Sequence, residues 1–273
     1  MELGKVQKLK IYKMTDNGAR LGNEEDDVLL PKNEVEDGWT VGDEVEVFIL
    51  RDSQERLIAT LKRPIAQVGE IAPMRITDVN KYGAFADWGL GKELFVPFKE
   101  QKIKVRVNDV VGIRVYVDKS DRLAGSTRIY DYLEIGDFNE DDTVSGLVYE
   151  INPDMGAFVA VENKYHGMLP KNEMVKEVKI GDVKEFRIKK VREDGKLTLS
   201  LRNKSYIQMD IDAQKIVEYM ENNGGELGFP EKSSPELIKA ELGMSKAGFK
   251  RSIGRLLKEK RVKIGENNIF LIK

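Results

Sequence analysis

The chain has 273 residues, with 45 Lys and Arg against 47 Asp and Glu and a formal net charge of −2. At roughly 150 residues per domain this means two or more cores, and a composition 41% hydrophobic and 34% charged excludes fibrous and disordered classes. The absence of cysteine excludes disulfide stapling, thiolate metal sites and thiol catalysis, and a single histidine, His166, cannot build a multi-histidine metal site.

No stretch approaches the ~20 apolar residues that span a bilayer, and the first residues, MELGKVQKLKIYK, interleave charge with apolar side chains. The reading is a cytoplasmic protein with no membrane partner, metal or cofactor.

Three segments carry the same marks in the same order, as internal repeats do. The first has Gly18-Ala19, then LLPKNE from Leu29, then alternating residues in VGDEVEVFIL from Val41, and closes on ERLIATLKR. The second has Gly83-Ala84, LFVPFKE from Leu94, VNDVVGIRVYV from Val107 and DRLAGSTR. In the third, Gly156-Ala157 leads to MLPKNE from Met168, IGDVKEFRIKKV from Ile180 and GKLTLSLR. Alternation of this kind predicts half-buried strands. About five short strands in some 60 residues with few helical signals match a small five-stranded Greek-key barrel. The repeated PKNE reads as a turn whose proline fixes the backbone, and no chemistry is assigned to it. The predicted boundaries are 1–66, 67–128 and 142–204. Residues 129–141, IYDYLEIGDFNED, hold five acidic and no basic side chains and read as a linker or a short ordered connector.

After Lys204 the apolar period becomes helical. Ala213, Ile216, Val217 and Met220 share one face, and Gly224-Gly225 ends the helix. SSPELIKAEL predicts a serine N-cap, a proline in the first turn and a short second helix broken by Gly243. Ser245 caps a third helix running to about Glu259, and RVKI and IFLIK form two strands across a GENN turn. Three helices and a hairpin in residues 205–273 describe a winged helix.

Charge is uneven along this order. Residues 1–66 carry net −4, 67–128 net +3, 129–141 net −5, and 142–204 and 205–273 net +2 each. A polyanion would prefer the middle and last modules, because phosphate neutralisation supplies most nonspecific affinity. The acidic first barrel is a poor candidate for RNA and a better one for a protein partner, so its removal is expected to leave most affinity intact. From Lys246 to Lys263 there are eight basic residues against Glu259 alone. Within that run Lys250, Arg251, Arg255 and Lys258 are the candidate contacts of the third helix, against the alternative of a solvated face.

The repeat pattern has an aromatic, glycine, small residue and aromatic on strand two, followed by an apolar run and a Gly-Asp turn. It resembles the S1 RNA-binding domain, an OB-fold. That resemblance implies an RNA-binding face of two aromatics on strand two, a histidine on strand three, and an aspartate and arginine four apart after strand four. In the second unit these positions hold Tyr82, Phe85, Asp118 and Arg122, with Pro97 in place of the histidine. The third has Met155 and Phe158, Pro170 for the histidine, and Arg192 and Lys196 for the acid and base. The first has Asn17 and Arg20 at the aromatic positions and keeps only Asp52 and Arg56. Flat bases stack on such rings at ~1–3 kcal/mol each, and an aspartate orients a neighbouring arginine by a charge-assisted hydrogen bond. A bulge at Gly83 would let Tyr82 and Phe85, three apart, share a face. The competing reading for both rings is barrel core. His166, beside Tyr165, reads as a solvated hairpin turn residue.

The whole order is mainly β with a C-terminal α+β module: three tandem S1-like OB-fold barrels followed by a winged helix. It resembles the conserved virulence factor B family of Firmicutes. The resemblance implies an RNA-binding regulator of gene expression, and of virulence, acting after transcription. Single-stranded RNA is the expected partner and DNA the alternative, through a winged-helix transcriptional regulator. No catalytic residue is assigned: GLGKE from Gly89 superficially suggests a phosphate loop, but Ala86 stands where its first glycine is needed and Glu93 where Ser or Thr would bind magnesium.

Overall fold

A computed structural model describes residues 1–174, 177–202, 205–230, 232–265 and 268–272, with the side chains of 205–208 outside the description. The chain divides into two compact units, Met1–Leu201 and Arg202–Lys273.

The first unit holds three five-stranded barrels. Strands β1 (Val6–Thr15), β2 (Gly18–Gly22), β3 (Asp27–Pro31), β4 (Glu44–Arg51) and β5 (Leu57–Thr60) close in the order β1-β2-β3-β5-β4. Strands β6 (Ile71–Val79), β7 (Gly83–Asp87), β8 (Leu94–Pro97), β9 (Val110–Val117) and β10 (Leu123–Ser126) pair in the order β10-β9-β6-β7-β8, with β8 and β10 lying side by side. Strands β11 (Thr143–Asn152), β12 (Gly156–Val161), β13 (Tyr165–Pro170), β14 (Val183–Val191) and β15 (Leu197–Ser200) close a third barrel in the order of the first.

Each barrel bends its long first strand with a bulge, at Tyr12, Thr77 and Tyr149. The expected bulge at Gly83 is therefore on the partner strand instead. Gly83 serves close approach: a Cβ there would collide with the Val96 carbonyl of β8, as at Gly18 and Gly156 in the other barrels.

The recurrent Pro-x-x-Glu turn has a task that its sequence does not announce. Pro31, Pro97 and Pro170 end their strands at φ −58°, −60° and −61°, and a single 3-10 turn follows each. The glutamate that closes the turn reaches the end of the last strand. Thr60 Oγ1 donates to Glu34 at 2.7 Å, Ser126 Oγ to Glu100 at 2.8 Å and Ser200 Oγ to Glu173 at 2.6 Å. Glu173 also receives Lys189 Nζ at 2.6 Å.

Alternation on β4 shows how the barrels join. Val45, Val47 and Ile49 point into the first barrel, whereas Phe48 faces outward yet is fully buried among the core residues of the second. Its ring meets Trp88 edge-on, with centroids 5.8 Å apart. The first barrel is thus part of the second barrel's hydrophobic core. On β9, Gly112 stands where an outward side chain would strike Ile129 and Leu147, so the third barrel docks against bare backbone. At the start of the 129–141 connector, Ile129–Tyr132 forms a 3-10 turn, and Ile129 and Leu133 are buried with Ile71 of the second barrel and Leu147 and Tyr149 of the third.

In the second unit, α1 (Ser205–Asn222), α2 (Pro235–Leu242) and α3 (Lys246–Lys258) enclose a core that includes Ile216, Met220, Ile238, Phe249 and Ile253. Ser234 and Ser245 cap α2 and α3 by accepting from Leu237 and Gly248 N–H, and Gly243 ends α2 in the left-handed region at φ +65°. Strands β16 (Val262–Ile264) and β17 (Ile269–Leu271) form the hairpin. Two residues of its GENN turn, 266 and 267, lie outside the described residues. Among the described residues no helix is long and apolar enough to cross a membrane.

Truncating Phe48 removes a ring from one barrel and a core contact from another. Phe48→Ala should cost about 3–5 kcal/mol in urea denaturation and shift the tryptophan emission to the red as Trp88 is wetted. Deleting residues 1–66 should do the same, so loss of affinity in that fragment would report a damaged second barrel; an unshifted emission would show the two barrels to be independent.

Candidate nucleic-acid interface

In the second barrel, Phe85, Asp118 and Arg122 line one cleft of about 340 Å³ together with Phe95 and Lys92. Phe85 lies at the centre of β7, half-buried, its ring 5.3 Å from that of Phe95 on β8. Trp88 forms the floor and donates from Nε1 to the Lys92 carbonyl at 2.6 Å. Asp118 shapes the β9–β10 turn, accepting from Ser120 N–H at 2.7 Å and Arg122 N–H at 3.1 Å. Its carboxylate is 3.8 Å from Arg122 Nε, and the guanidinium remains largely in solvent. A loosely held, exposed cation above an apolar floor can meet phosphate or stack on a base.

Tyr82 is not among the residues that line this cleft. It sits in the turn before β7, 65% exposed, with Lys81 Nζ 5.0 Å from its ring. Asn80 Oδ1 builds that turn by accepting from Tyr82 and Gly83 N–H. Strand alternation therefore does not govern Tyr82.

Arg51 and Leu50 of the first barrel wall the cleft on one side. Arg51 Nε donates to the Asp121 carbonyl at 2.7 Å, which docks one barrel onto the turn that carries Asp118 and Arg122, while its Nη1 donates to the Glu55 carbonyl of its own barrel at 2.6 Å. Neither Arg51 nor Lys92 was expected from the sequence. For Lys92 the signal was present in GLGKE, a basic residue in the glycine-rich loop between β7 and β8.

The first barrel's own cations are paired more tightly than Arg122. Arg20 is bound by Asp27 at 3.0 Å, and Asp52 grips Arg56 through Nε and Nη2 at 2.9 and 2.7 Å. That hydrogen bonding holds the Asp52 carboxyl below the usual carboxylate range.

In the third barrel, Met155 occupies an Asn152 turn equivalent to that of Tyr82 and is half in solvent. Phe158 on β12 is half-buried, its ring 6.4 Å from that of Tyr149, whose hydroxyl burial pushes well above the ordinary tyrosine range. Arg192 and Lys196 flank the β14–β15 turn, and Asp194 pairs with both at 3.3 and 3.8 Å. The acid missing from the motif position has moved into the turn, where a search by spacing does not find it. His166 is a strand residue opposite Ala160, not a turn residue, and burial with Lys196 nearby lowers its pKa.

On α3, Lys250, Arg251 and Lys258 are exposed within about one quadrant of the helix, on the side away from Phe249, Ile253 and Leu256. Arg255 differs from them. It is bound to Asp210 of α1 and, through Nε at 2.6 Å, to Glu259. One of the four expected contacts is thus engaged in holding the helices together.

Three family models match the chain. Residues 3–62 and 68–128 match the S1 domain, 137–202 the S1 RNA binding domain, and 214–271 the CvfB-like winged helix domain. The uncharacterized protein YitL of Bacillus subtilis is 32% identical over 96% of this chain and 91% of its own length. Conserved virulence factor B of Staphylococcus epidermidis is 26% identical, covering 99% and 95% of the two chains, and that of Staphylococcus aureus 29%, covering 87% and 82%. A solved multidomain protein with nucleic acid binding domains from Streptococcus pneumoniae is 30% identical over 99% and 98% of the two chains, with a TM-score of 0.48.

Arg255 and its exposed neighbours should separate experimentally. Changing Lys250, Arg251 and Lys258 to glutamine should flatten the slope of log affinity against log salt by ~0.7 per lost single-strand phosphate contact. Arg255→Gln should leave the slope unchanged and lower the unit's stability by about 1 kcal/mol. Equal slopes for the triple variant and the unaltered chain would remove α3 from the interface.

Proposed function

Because the chain belongs to the conserved virulence factor B family, built of S1 domains and a winged helix of nucleic-acid-binding type, we propose that it is a noncatalytic single-stranded RNA-binding protein. It works in the cytoplasm as a regulator of gene expression after transcription. The observation that carries this reading is the second barrel's cleft, where Phe85, Asp118 and Arg122 meet beside Lys92 and Arg51. An aromatic floor with cations at its rim suits a flat base joined to a phosphate. Linked weak sites gain affinity through effective concentration, so a third barrel and a winged helix on the same chain extend the grip.

The exposed basic side of α3 favours a second reading, recognition of duplex DNA by the winged helix. The two readings part on one comparison. Preference for an RNA single strand over a DNA duplex of matched length at equal salt supports the first; the reverse preference supports the second.

Tyr82→Ala with Phe85→Ala should weaken binding of single-stranded RNA by roughly 2–4 kcal/mol, one base stacking on Phe85 in the cleft and a second on exposed Tyr82 in the turn before β7. The single changes should differ in stability: exposed Tyr82 is dispensable to the fold, while Phe85 packs on Phe95. Undiminished affinity in the folded double variant, measured by fluorescence anisotropy, would defeat the assignment of this cleft.

A further inference from the structure

A second cavity, of about 390 Å³, lies where the connector crosses the third barrel. Tyr130 of the connector lines it together with Met155, Phe158 and Tyr149 of the barrel, and its charged lining is mixed, Lys102 of the second barrel and Arg128 standing with the carboxylates of Asp131 and Glu150. Phe158 is the third barrel's aromatic from the S1 pattern, so the cavity is continuous with the face already described.

Tyr130 is held there by the third barrel. Lys196 Nζ donates to its hydroxyl at 3.1 Å and lies 5.5 Å from the ring centroid, and the His166 ring meets it edge-on at 4.8 Å. That hydrogen bond raises the Lys196 pKa above the ordinary lysine value. The connector backbone is pinned on both sides. Ile129 and Leu133 are buried between the barrels, Arg114 of the second barrel stacks on Tyr132 at 3.9 Å, and Glu134 exchanges backbone hydrogen bonds with Lys164 and His166 of the third.

A tyrosine that served only to pack would be covered like Ile129. Tyr130 is 46% exposed, and its ring borders a cavity that other aromatics also line. A ring fixed before the ligand arrives loses little rotamer entropy on binding.

We propose that Tyr130 is a base-stacking residue for single-stranded RNA, supplied by the connector to the third barrel's site, which is complete only when barrel and connector are together. The inference rests on the RNA-binding reading and adds a site to it.

The test uses the full chain and a fluorescent oligouridylate of about 12 nucleotides. Tyr130→Leu should weaken binding about 5- to 150-fold, the loss of one stacked base, with thermal unfolding unchanged. Tyr130→Phe keeps the ring and should stay within a few-fold of the unaltered chain. A thiouridine-substituted oligouridylate should crosslink under long-wavelength light to the peptide that contains Tyr130. Undiminished affinity of a folded Tyr130→Leu variant would overturn the proposal while leaving the RNA reading intact, provided the Tyr82 and Phe85 double variant loses affinity in the same assay. If the leucine variant does not fold, the crosslink decides, and its absence from that peptide overturns the proposal. No binding by the unaltered chain would remove both readings.

Discussion

Every barrel in this chain is closed by a carboxylate. The proline that ends the third strand has no N–H to extend the ladder, and the turn it starts swings a glutamate, Glu34, Glu100 or Glu173, across to the hydroxyl at the end of the fifth strand. That bond joins the two strands that meet in parallel, the pairing with the fewest ladder bonds of its own; β3 and β5 share the single register pair of Leu29 with Ile58. A buried Ser200 hydroxyl, 1% exposed, would otherwise be left without its strongest acceptor. Closure at this point also fixes the hairpin before the fifth strand, the one that carries Asp118 and Arg122 or Arg192 and Lys196. The site geometry therefore depends on a turn remote from any ligand.

With each interior sealed, the outward residues are free to bind neighbours. Phe48 and Gly112 show two ways of doing so, a ring inserted into the next core and a missing side chain that lets the next backbone approach. The three barrels consequently present fixed surfaces to one another. Arg51 at the second barrel's cleft is a contribution that no barrel makes alone.

The fold was legible because the same closure problem is solved three times with the same residues. Pro-x-x-Glu and Gly-Ala recur at the same places in each repeat, and the winged helix follows from caps and helical spacing at Ser234, Gly243 and Ser245. The meeting of Phe85 with Asp118 and Arg122 could be anticipated because all three lie within one repeat. Contacts that cross between repeats or elements leave no such mark in the sequence. Phe48 looks like one more apolar residue in VEVFIL, and only strand alternation marks it as outward. Tyr130 belongs to an acidic segment outside the repeats, and Asp194 serves two bases from a position the motif does not specify. Arg255 counts as a basic residue of α3 until Asp210, on another helix, is seen to hold it. The bulge lies at Thr77 and not at Gly83, and the sequence does not tell which strand of the pair carries the extra residue.

The burial of Phe48 also bears on how the chain emerges from the ribosome. The first barrel can close as soon as Thr60 reaches Glu34, yet closure leaves the Phe48 ring on the outside with nothing to cover it. Its partner Trp88 follows Thr60 by 28 residues, a delay of about 1–6 s at ordinary rates of synthesis. During that interval the nascent chain displays a finished barrel with a bare aromatic on its wall. The charged residues alternating with the core on the same strand, Glu44 and Glu46, keep that wall solvated until the second barrel arrives.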